Sequence, residues 1–262
     1  IGLTLSEIAY FLRHTHKLAA EHRVFTPIAH FAAKSFQKPS PYGNVLIMSP
    51  WNYPFLLTID PLVDAIAAGN TVMLKPSAYS PATSEIIKKI VEEVFPPEHA
   101  AVIPGGRKEN AGLLKMKFDL IFFTGSQQVG KEVLRSAAET ITPTILELGG
   151  KSPCIVDETA NIRLAAKRIV FGKFLNCGQT CVAPDYILCQ EQIKKEFLRE
   201  LFLQIQKQYG KNPLRDPDYG KIVNRKHFDR LSRLIDPQKT VFGGKGNPET
   251  QQIEPTVMDR VD

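Results

Sequence analysis

Between residues 45 and 148 the chain alternates short apolar runs with longer segments that have the apolar spacing of amphipathic helices. Runs of three or four apolar residues, each followed by a turn, are typical of strands buried on both faces of a sheet. Helices between such strands favour parallel pairing, because a parallel crossover needs a long connection. The pattern therefore predicts an α/β fold with a Rossmann-like parallel sheet. The five predicted strands are residues 45–48, 71–74, 101–103, 120–123 and 144–146.

A second α/β series begins after Gly150, so we expect a first domain over residues 1–148 and a second over residues 149–262. The first domain also includes residues 1–17, which have the spacing of an amphipathic helix, and residues 22–42, which are interpreted as an extended arm. In the second domain, strands are predicted at 154–156 and 186–189, and helices at 161–175 and 193–209.

The charge of the chain does not indicate a nucleic-acid partner. The net charge is +6 and the pI about 9.1. Lys and Arg are nevertheless scattered among Glu and Asp, and they form no basic stripe with interleaved aromatic residues. A modest positive charge is compatible with an anionic cofactor. The hydrophobic content of 43% and the charged content of 23% are those of a soluble globular protein.

Four cysteines in 262 residues do not resemble the disulfide framework of a small secreted protein. We therefore expect reduced thiols and a cytoplasmic location. The cysteines form no paired CxxC sets, and no histidine lies near them in sequence, so no metal site is expected. No signal peptide or membrane-length apolar run occurs. Membrane association is expected only if a further C-terminal segment supplies it.

Polar residues follow the predicted strands of the first domain at their carboxyl ends, where parallel sheets bind ligands. Asn52, Lys75, Gly125 and Glu147 all lie at such ends. Lys75, with Ser77 two residues later, could supply a cation and a hydroxyl to a ribose or phosphate group. The alternative is a surface lysine at a strand end.

Asn52 and Glu147 each have a catalytic and a structural interpretation. An Asn amide can donate to an oxyanion, although Asn is also common in turns. A glutamate at a half-buried position beside two glycines can act as a general base for water. The alternative is a structural glutamate bonded to backbone amides.

Residues 125–130 have the context of a phosphate-binding turn, since they follow a strand and open a helix. Gly125, which precedes Ser126, and Gly130 match the first and last glycines of G-x-G-x-x-G. Gln127 replaces the middle glycine, which lets the backbone approach a pyrophosphate closely. A dinucleotide would therefore sit differently here than in an ordinary Rossmann site, and a plain strand–helix turn is the alternative.

Cys181 is the candidate nucleophile. It lies at the junction of a predicted helix and a predicted strand, where a thiol can project into a cleft. Cys177 is interpreted as a packing residue, with a redox pair of Cys177 and Cys181 as the alternative. Cys154 and Cys189 lie in predicted strands and are expected in the core.

These residues occur in six segments: Pro50-Trp51-Asn52-Tyr53-Pro54-Phe55, Lys75-Pro76-Ser77, Phe123-Thr124-Gly125-Ser126, Leu146-Glu147-Leu148-Gly149-Gly150-Lys151, Gly178-Gln179-Thr180-Cys181 and Ala183-Pro184-Asp185-Tyr186. In this order they resemble the NAD(P)-dependent aldehyde dehydrogenase superfamily, and the last segment looks like its class 3, fatty-aldehyde branch. The resemblance covers nearly the whole chain. It implies a dinucleotide-binding domain over residues 1–148 and a partial, thiol-bearing catalytic domain over residues 149–262.

The resemblance also implies a role for each residue. Cys181 would be the nucleophile, Asn52 would complete the oxyanion hole with the backbone N–H of Cys181, and Glu147 would activate the deacylating water. The substrate would be an aldehyde, the cofactor NAD or NADP, and the full-length enzyme a homodimer. Cofactor contacts are implied for Lys75 at the adenosine ribose, for Gly125 and Ser126 at the pyrophosphate, and for Ser77, Gly130, Trp51 and Leu148.

Two departures from the family pattern matter. The family commonly has Glu three residues after the cofactor lysine, whereas this chain has Ala78. The missing carboxylate removes repulsion toward a 2′-phosphate, which predicts that NADP is accepted alongside NAD. The family's catalytic domain also normally continues through a Glu-Ile-Phe-Gly-Pro motif to an oligomerisation strand, so the chain is expected to be truncated at its C-terminus.

Three alternative functions stay open at this point. A CoA-acylating relative would keep the cysteine but would not need Glu147. A fragment of such an enzyme could bind cofactor without catalysis. A thiol oxidoreductase would use Cys177 and Cys181 as a pair.

Overall fold

The computed structural model describes residues 1–261 and divides the chain into two compact units. The first unit is Ile1–Leu148, and the second begins at Gly149. The assignment of cofactor binding to the first and of thiol chemistry to the second stays a prediction. Within the described residues, no helix is long and apolar enough to cross a membrane.

The first unit consists of a helix, a two-stranded arm and a five-stranded sheet with its helices. The helix predicted over residues 1–17 is confirmed, and the extended arm contains an antiparallel pair of strands. In chain order the elements are α1 Gly2–Leu18, β1 His22–Val24, β2 Ser35–Gln37, β3 Asn44–Met48, α2 Leu56–Ala67, β4 Thr71–Lys75, α3 Pro81–Val94, β5 Ala100–Val102, α4 Arg107–Leu113, β6 Leu120–Gly125, α5 Gln127–Thr140 and β7 Thr144–Leu148.

The five-stranded sheet is parallel throughout and has the strand order β5-β4-β3-β6-β7. This topology confirms the predicted α/β fold. Strand β3, the first strand of this sheet in sequence, lies at its centre, with Met48 paired to Lys75 on one side and to Phe123 on the other. The loops that follow these strands therefore leave the same edge of the sheet.

Side chains of β3 alternate between two hydrophobic cores. Val45 and Ile47 pack with α2 and α3 on one face of the sheet, whereas Leu46 and Met48 pack with α5 on the other. All four side chains are at most 3% exposed. Burial of each such side chain stabilises the fold by about 1.5–3 kcal/mol. The central strand is therefore fixed from both faces.

The bounds of several elements in the first unit differ from the prediction, and strand β6 ends two residues later than predicted, at Gly125. Strand β7 extends two residues beyond its predicted end, because Leu148 still pairs with Gly125 of β6. Helix α4 is not predicted, since it is short and has little apolar periodicity. It begins at a capping box, in which the Glu109 carboxylate accepts a hydrogen bond from the Gly106 N–H at 2.6 Å.

The second unit is built on one parallel pair of strands and two long helices. Strands β8 and β9 pack through Val156, Cys154 and Ile187 against side chains of α6 and α7. The elements are β8 Ser152–Val156, α6 Ile162–Phe174, β9 Pro184–Cys189, α7 Glu191–Tyr209, α8 Arg225–Ser232, β10 Thr240–Phe242, β11 Gly246–Asn247, β12 Gln252–Ile253 and β13 Val257–Met258.

The loop after β3 is held to α2 by a pair of buried hydroxyl groups. Ser49 lies just beyond β3 and Thr58 lies in the first turn of α2, with their side-chain oxygens 2.6 Å apart. The Thr58 hydroxyl donates to the carbonyl of Pro54, also at 2.6 Å, so the Ser49 hydroxyl is left as the donor to Thr58. Thr58 is 0% exposed and Ser49 is 8% exposed. Both ends of the intervening loop are therefore fixed.

We expect Thr58→Val to lower the free energy of unfolding by about 1–3 kcal/mol. The substitution keeps the shape of the side chain but removes the partner of the Ser49 hydroxyl and of the Pro54 carbonyl. Urea unfolding measures the change. Thr71→Val is the matched control, because Thr71 is exposed and its hydroxyl, among residues 1–261, makes only a 3.5 Å contact with the Gly43 carbonyl. A change of the same size in both variants would contradict this explanation.

Candidate active site

Polar residues from several strands lie along the carboxyl edge of the first unit's sheet. Lys75 ends β4, Gly125 ends β6, and Glu147 is the penultimate residue of β7. Asn52 lies in the loop that follows β3, the strand between β4 and β6. The strand order thus arranges these residues along one edge, as the sequence predicts, while their roles stay predictions.

Lys75 is buried at this edge. It is 3% exposed, so its interpretation as a surface lysine is wrong. Burial lowers the pKa of Lys75 below its usual value, and the negative charge of Glu109 partly offsets that effect. The ammonium group has three donors, and within residues 1–261 it donates one hydrogen bond, to the carbonyl of Pro76. The remaining donors suit a hydroxyl-bearing or anionic ligand.

Ser77 shapes the turn that follows Lys75. Its hydroxyl oxygen accepts a hydrogen bond from the N–H of Tyr79 at 3.2 Å, and its carbonyl accepts one from the Ser84 hydroxyl at 3.0 Å. The turn presents Ala78 to solvent. The position at which the family pattern has a carboxylate is therefore an exposed methyl group.

Helix α5 begins directly after β6, with Ser126 as its N-cap. The Ser126 side-chain oxygen accepts a hydrogen bond from the Val129 N–H at 3.4 Å. The other amides of the first turn have no acceptor within the helix, which makes such a terminus suitable for a phosphate. A Cβ at Gly125 would lie 2.5 Å from the ring of Phe123, which is itself buried. Only glycine fits at this strand end without displacing the ring.

Gly130 supports close packing between α5 and β7. It is buried, and a Cβ at this position would lie 3.0 Å from Leu148 and 3.7 Å from Leu146. Dinucleotide-binding turns use their last glycine in the same way. Gly130 therefore serves helix–strand packing, and its implied contact with the cofactor stays a prediction.

Trp51 and Asn52 are half-buried in the irregular segment between β3 and α2. The buried hydroxyl pair of Ser49 and Thr58 fixes this segment to both elements. The role of these two hydroxyl residues is not predictable from the sequence, because nothing in the local pattern separates a buried Ser or Thr from a solvated one. Asn52 stays the candidate oxyanion donor, and Trp51 stays a candidate cofactor contact.

Glu147 is exposed, so the prediction of a half-buried position is wrong. Side chains alternate along a strand, and Leu146 and Leu148 face the core beside α5, which turns Glu147 outward. Within the described part of the chain its carboxylate accepts no hydrogen bond, so the alternative of a structural glutamate bonded to backbone amides is also wrong. Its side chain is accessible to water.

Cys181 belongs to the second unit and is exposed in the loop between α6 and β9. The loop opens with a 3₁₀ turn, Leu175–Gly178, that contains three consecutive residues in left-handed conformation. The φ angle is 52° at Asn176, 55° at Cys177 and 77° at Gly178. For a residue other than glycine this conformation costs about 1–2 kcal/mol. Contacts from outside the loop must therefore stabilise it.

Gln179 makes such contacts with both ends of its side-chain amide. The oxygen accepts a hydrogen bond from the Val223 N–H at 2.9 Å. The nitrogen donates to the carbonyl of Asn176 at 3.1 Å and to that of Lys221 at 3.2 Å. The role of Gln179 is not predictable from the local sequence, because two of its partners are 42 and 44 residues away.

Asp185 fixes the two ends of the same loop through ion pairs. Its carboxylate lies 2.9 Å from the Lys151 ammonium and 3.3 Å from that of Lys173, near the end of α6. Burial raises the pKa of Asp185, but the two lysines outweigh that effect and hold the pKa below its usual value. The exit of α6 and the start of β9 are thereby joined.

Cys177 is a half-buried residue of this loop. A Cβ at Gly220 would lie 2.8 Å from its sulfur, so the sulfur lies close to the Gly220 backbone. Burial raises the pKa of the Cys177 thiol, and a hydrogen bond with the Tyr219 hydroxyl only partly offsets the increase. A raised pKa disfavours the reactive thiolate. These features favour packing as the role of Cys177.

The remaining two cysteines also fit a packing role. Cys154 and Cys189 lie in the paired strands β8 and β9 and pack against the core of the second unit. Burial raises the pKa of both thiols. All four cysteines are free thiols.

The residues of the first unit fit a dinucleotide cofactor. A buried cation, Lys75, and the open N-terminus of the 14-residue helix α5 lie along one sheet edge. They offer charge and amide donors to ribose and phosphate groups. Gln127 begins α5 where the ordinary motif has its middle glycine.

Residues 1–262 match the family model described as the aldehyde dehydrogenase family. The chain is 47% identical over its whole length to 4,4'-diaponeurosporen-aldehyde dehydrogenase of Staphylococcus aureus. Over 98% of its length it is 42% identical to aldehyde dehydrogenase family 3 member A2 of Pongo abelii and 41% identical to the dimeric NADP-preferring aldehyde dehydrogenase of Canis lupus familiaris. It spans 57%, 53% and 57% of these relatives, or about half of their length.

Solved structures agree with this result. The substrate-bound AldH of Staphylococcus aureus superposes with a TM-score of 0.95 at 46% identity, covering all of this chain and 58% of that one. The Mycobacterium tuberculosis aldehyde dehydrogenase complexed with NAD+ superposes with a TM-score of 0.86 at 30% identity, covering 99% of this chain and 55% of that one. The chain therefore belongs to the aldehyde dehydrogenase family.

Proposed function

We propose that this protein oxidises aldehydes to carboxylic acids with NAD or NADP, and that Cys181 is the nucleophile. The observation that carries the proposal is the contrast among the four cysteines, all of which lie within the described residues. Cys181 is exposed in a fixed loop, whereas the other three are partly buried and have raised pKa values. Family membership supports the reaction type.

In the proposed reaction the Cys181 sulfur adds to the aldehyde carbonyl and forms a thiohemiacetal. The amide of Asn52 and the backbone N–H of Cys181 would donate hydrogen bonds to the carbonyl oxygen as negative charge develops on it. Loss of a hydride from the substrate carbon leaves a thioester on Cys181. Glu147 would then remove a proton from water, which attacks the thioester and releases the carboxylic acid and the free thiol.

A bound nicotinamide dinucleotide would supply the hydride acceptor. Lys75 and Ser77 would hold its ribose, and Ser126 with the first turn of α5 would receive its phosphates. The accessible carboxylate of Glu147 supports a role in proton transfer to and from water. Medium or long aliphatic and aromatic aldehydes are the proposed substrate class, on the basis of the class 3 resemblance.

We also propose that the enzyme acts as a homodimer. The arm between α1 and β3 exposes large apolar side chains, with Phe25 84%, Ile28 89% and Phe31 91% exposed. Exposed apolar groups in such numbers are typical of a surface that binds another protein. The canine relative is described as a dimeric enzyme, which supports the same proposal.

Cys181→Ala is expected to lower turnover of the 262-residue chain at least about 1,000-fold, and Cys177→Ala is expected to retain it within about threefold. Reduced nicotinamide absorbance with a saturating aliphatic aldehyde measures both. Equal losses would instead favour a thiol oxidoreductase pair. Cofactor binding without turnover in the unmodified chain would favour a fragment that only binds cofactor.

Glu147→Gln is expected to give a burst of about one equivalent of reduced cofactor per chain, followed by a stalled acyl-enzyme. The amide cannot accept a proton from water, so the thioester persists and is detectable by intact-mass measurement. Glu132→Gln, at an exposed glutamate on α5, is the matched control and should turn over steadily. Unimpaired turnover in Glu147→Gln would remove Glu147 from the mechanism, and a requirement for CoA would identify a CoA-acylating enzyme.

The exposed methyl group of Ala78 leads us to expect kcat/KM values for NADP and NAD that agree within about tenfold. Ala78→Glu should lower kcat/KM for NADP by about tenfold or more through repulsion of the 2′-phosphate, with little change for NAD. Ala78→Gln controls for side-chain size without the charge. A strong preference of the unmodified chain for NAD would contradict the expectation.

A further inference from the structure

We propose that Gln179 is a positioning residue, which fixes the loop of Cys181 to the segment 221–223 of the second unit. The inference rests on the proposed role of Cys181 as the nucleophile. Gln179 lies two residues before Cys181, and its side chain accepts from the Val223 N–H at 2.9 Å and donates to the Lys221 carbonyl at 3.2 Å. One side chain thus satisfies two backbone groups of a distant segment.

The same amide also stabilises the left-handed turn. Its nitrogen donates to the carbonyl of Asn176 at 3.1 Å, and the backbone N–H of Gln179 donates to that carbonyl at 3.1 Å as well. Asn176 and Cys177 have φ angles of 52° and 55°. Such a conformation persists only when surrounding contacts determine it. The primary amide supplies both donors and the acceptor that the arrangement needs.

Segment 221–223 is itself anchored, so it is a firm support for the loop. The Tyr219 hydroxyl donates to the Ile253 carbonyl at 2.8 Å, and the Gln252 side chain donates to the Tyr219 carbonyl at 2.7 Å. The Ile222 N–H donates to the Gln251 carbonyl at 2.9 Å. These bonds join the segment to the turn that carries β12.

Cys177 gives an internal reporter of this arrangement. Its sulfur lies against Gly220, one residue before segment 221–223. A Cβ at Gly220 would be only 2.8 Å from that sulfur. Loss of the hydrogen bonds between Gln179 and segment 221–223 would expose Cys177, which is half-buried, whereas Cys181 is already exposed. On the far side of the loop, a Cβ at Gly150 would lie 3.0 Å from the Cys181 carbonyl oxygen. The loop is therefore confined on two sides.

Gln179→Glu tests the proposal, because it preserves size and the acceptor for Val223 but removes both donors. The control is Gln208→Glu, since Gln208 lies on α7 and donates one 3.3 Å hydrogen bond to the Lys167 carbonyl. Iodoacetamide labelling of the 262-residue chain, read by peptide mass spectrometry, gives the Cys177 and Cys181 labelling rates separately. We expect the Cys177 rate in Gln179→Glu to rise about tenfold or more, with no such rise in the control.

Turnover and pH give readouts that a general loss of stability would not reproduce. In Gln179→Glu we expect kcat to fall about 10- to 100-fold, while KM for the cofactor changes less than about twofold. As the pH is lowered toward about 4, near the ordinary pKa of a glutamate, the excess labelling of Cys177 over that in the control should shrink, because a protonated glutamate regains one donor. Gln179→Asn, which keeps the amide but cannot span the gap, should behave like Gln179→Glu at neutral pH.

Several results would overturn the proposal. One is Cys177 protection that is unchanged in both Gln179 variants. Another is raised labelling with an unchanged kcat, and a third is a parallel loss of kcat and of cofactor affinity together with a lowered melting temperature. If the unmodified chain lacks turnover, the proposed function fails, and labelling of Cys177 in the two variants alone decides the role of Gln179.

Discussion

Parallel hydrogen bonding of β3 to β4 on one side and to β6 on the other determines where functional groups of the first unit can lie. Because Met48 is level with Lys75 and close to the end of β6, every loop that follows these strands leaves the same edge. The burial of β3 side chains in two cores makes a slip in register costly, since one residue of shift would reverse both faces. The positions of Lys75, Gly125 and the Asn52 loop all follow from this pairing.

The fold of the first unit was predictable because its signals are local. Short apolar runs alternate with helical patterns, and parallel topology then places the strand ends together without any knowledge of side-chain contacts. The same reasoning fails where a property depends on neighbours in space. Glu147 is exposed because β7 continues to Leu148 and its leucines face α5, whereas the local sequence, with its two glycines, indicated a strand that had already ended.

The loop between α6 and β9, which contains Cys181, shows a different limit of prediction from the sequence. Cys181 could be selected from its place between a helix and a strand, but the contacts that hold it come from residues 221 and 223, more than forty positions later. Two of the backbone groups that the Gln179 side chain binds are distant in sequence, so its sequence context resembles that of any polar loop residue. The role of Asp185 likewise depends on its ion pairs with Lys151 and Lys173, which come from separate segments.

The backbone angle at residue 177 also limits which residues can replace Cys177 when fewer reactive thiols are wanted for chemical labelling. With φ at 55°, glycine or asparagine can replace Cys177 with little added strain, whereas valine, isoleucine and threonine would be poorly tolerated. A chain changed in this way would keep Cys181 as its exposed thiol, and the two others would stay in the paired strands β8 and β9. The loop could then carry one fluorophore or cross-linker at a defined position, Cys181.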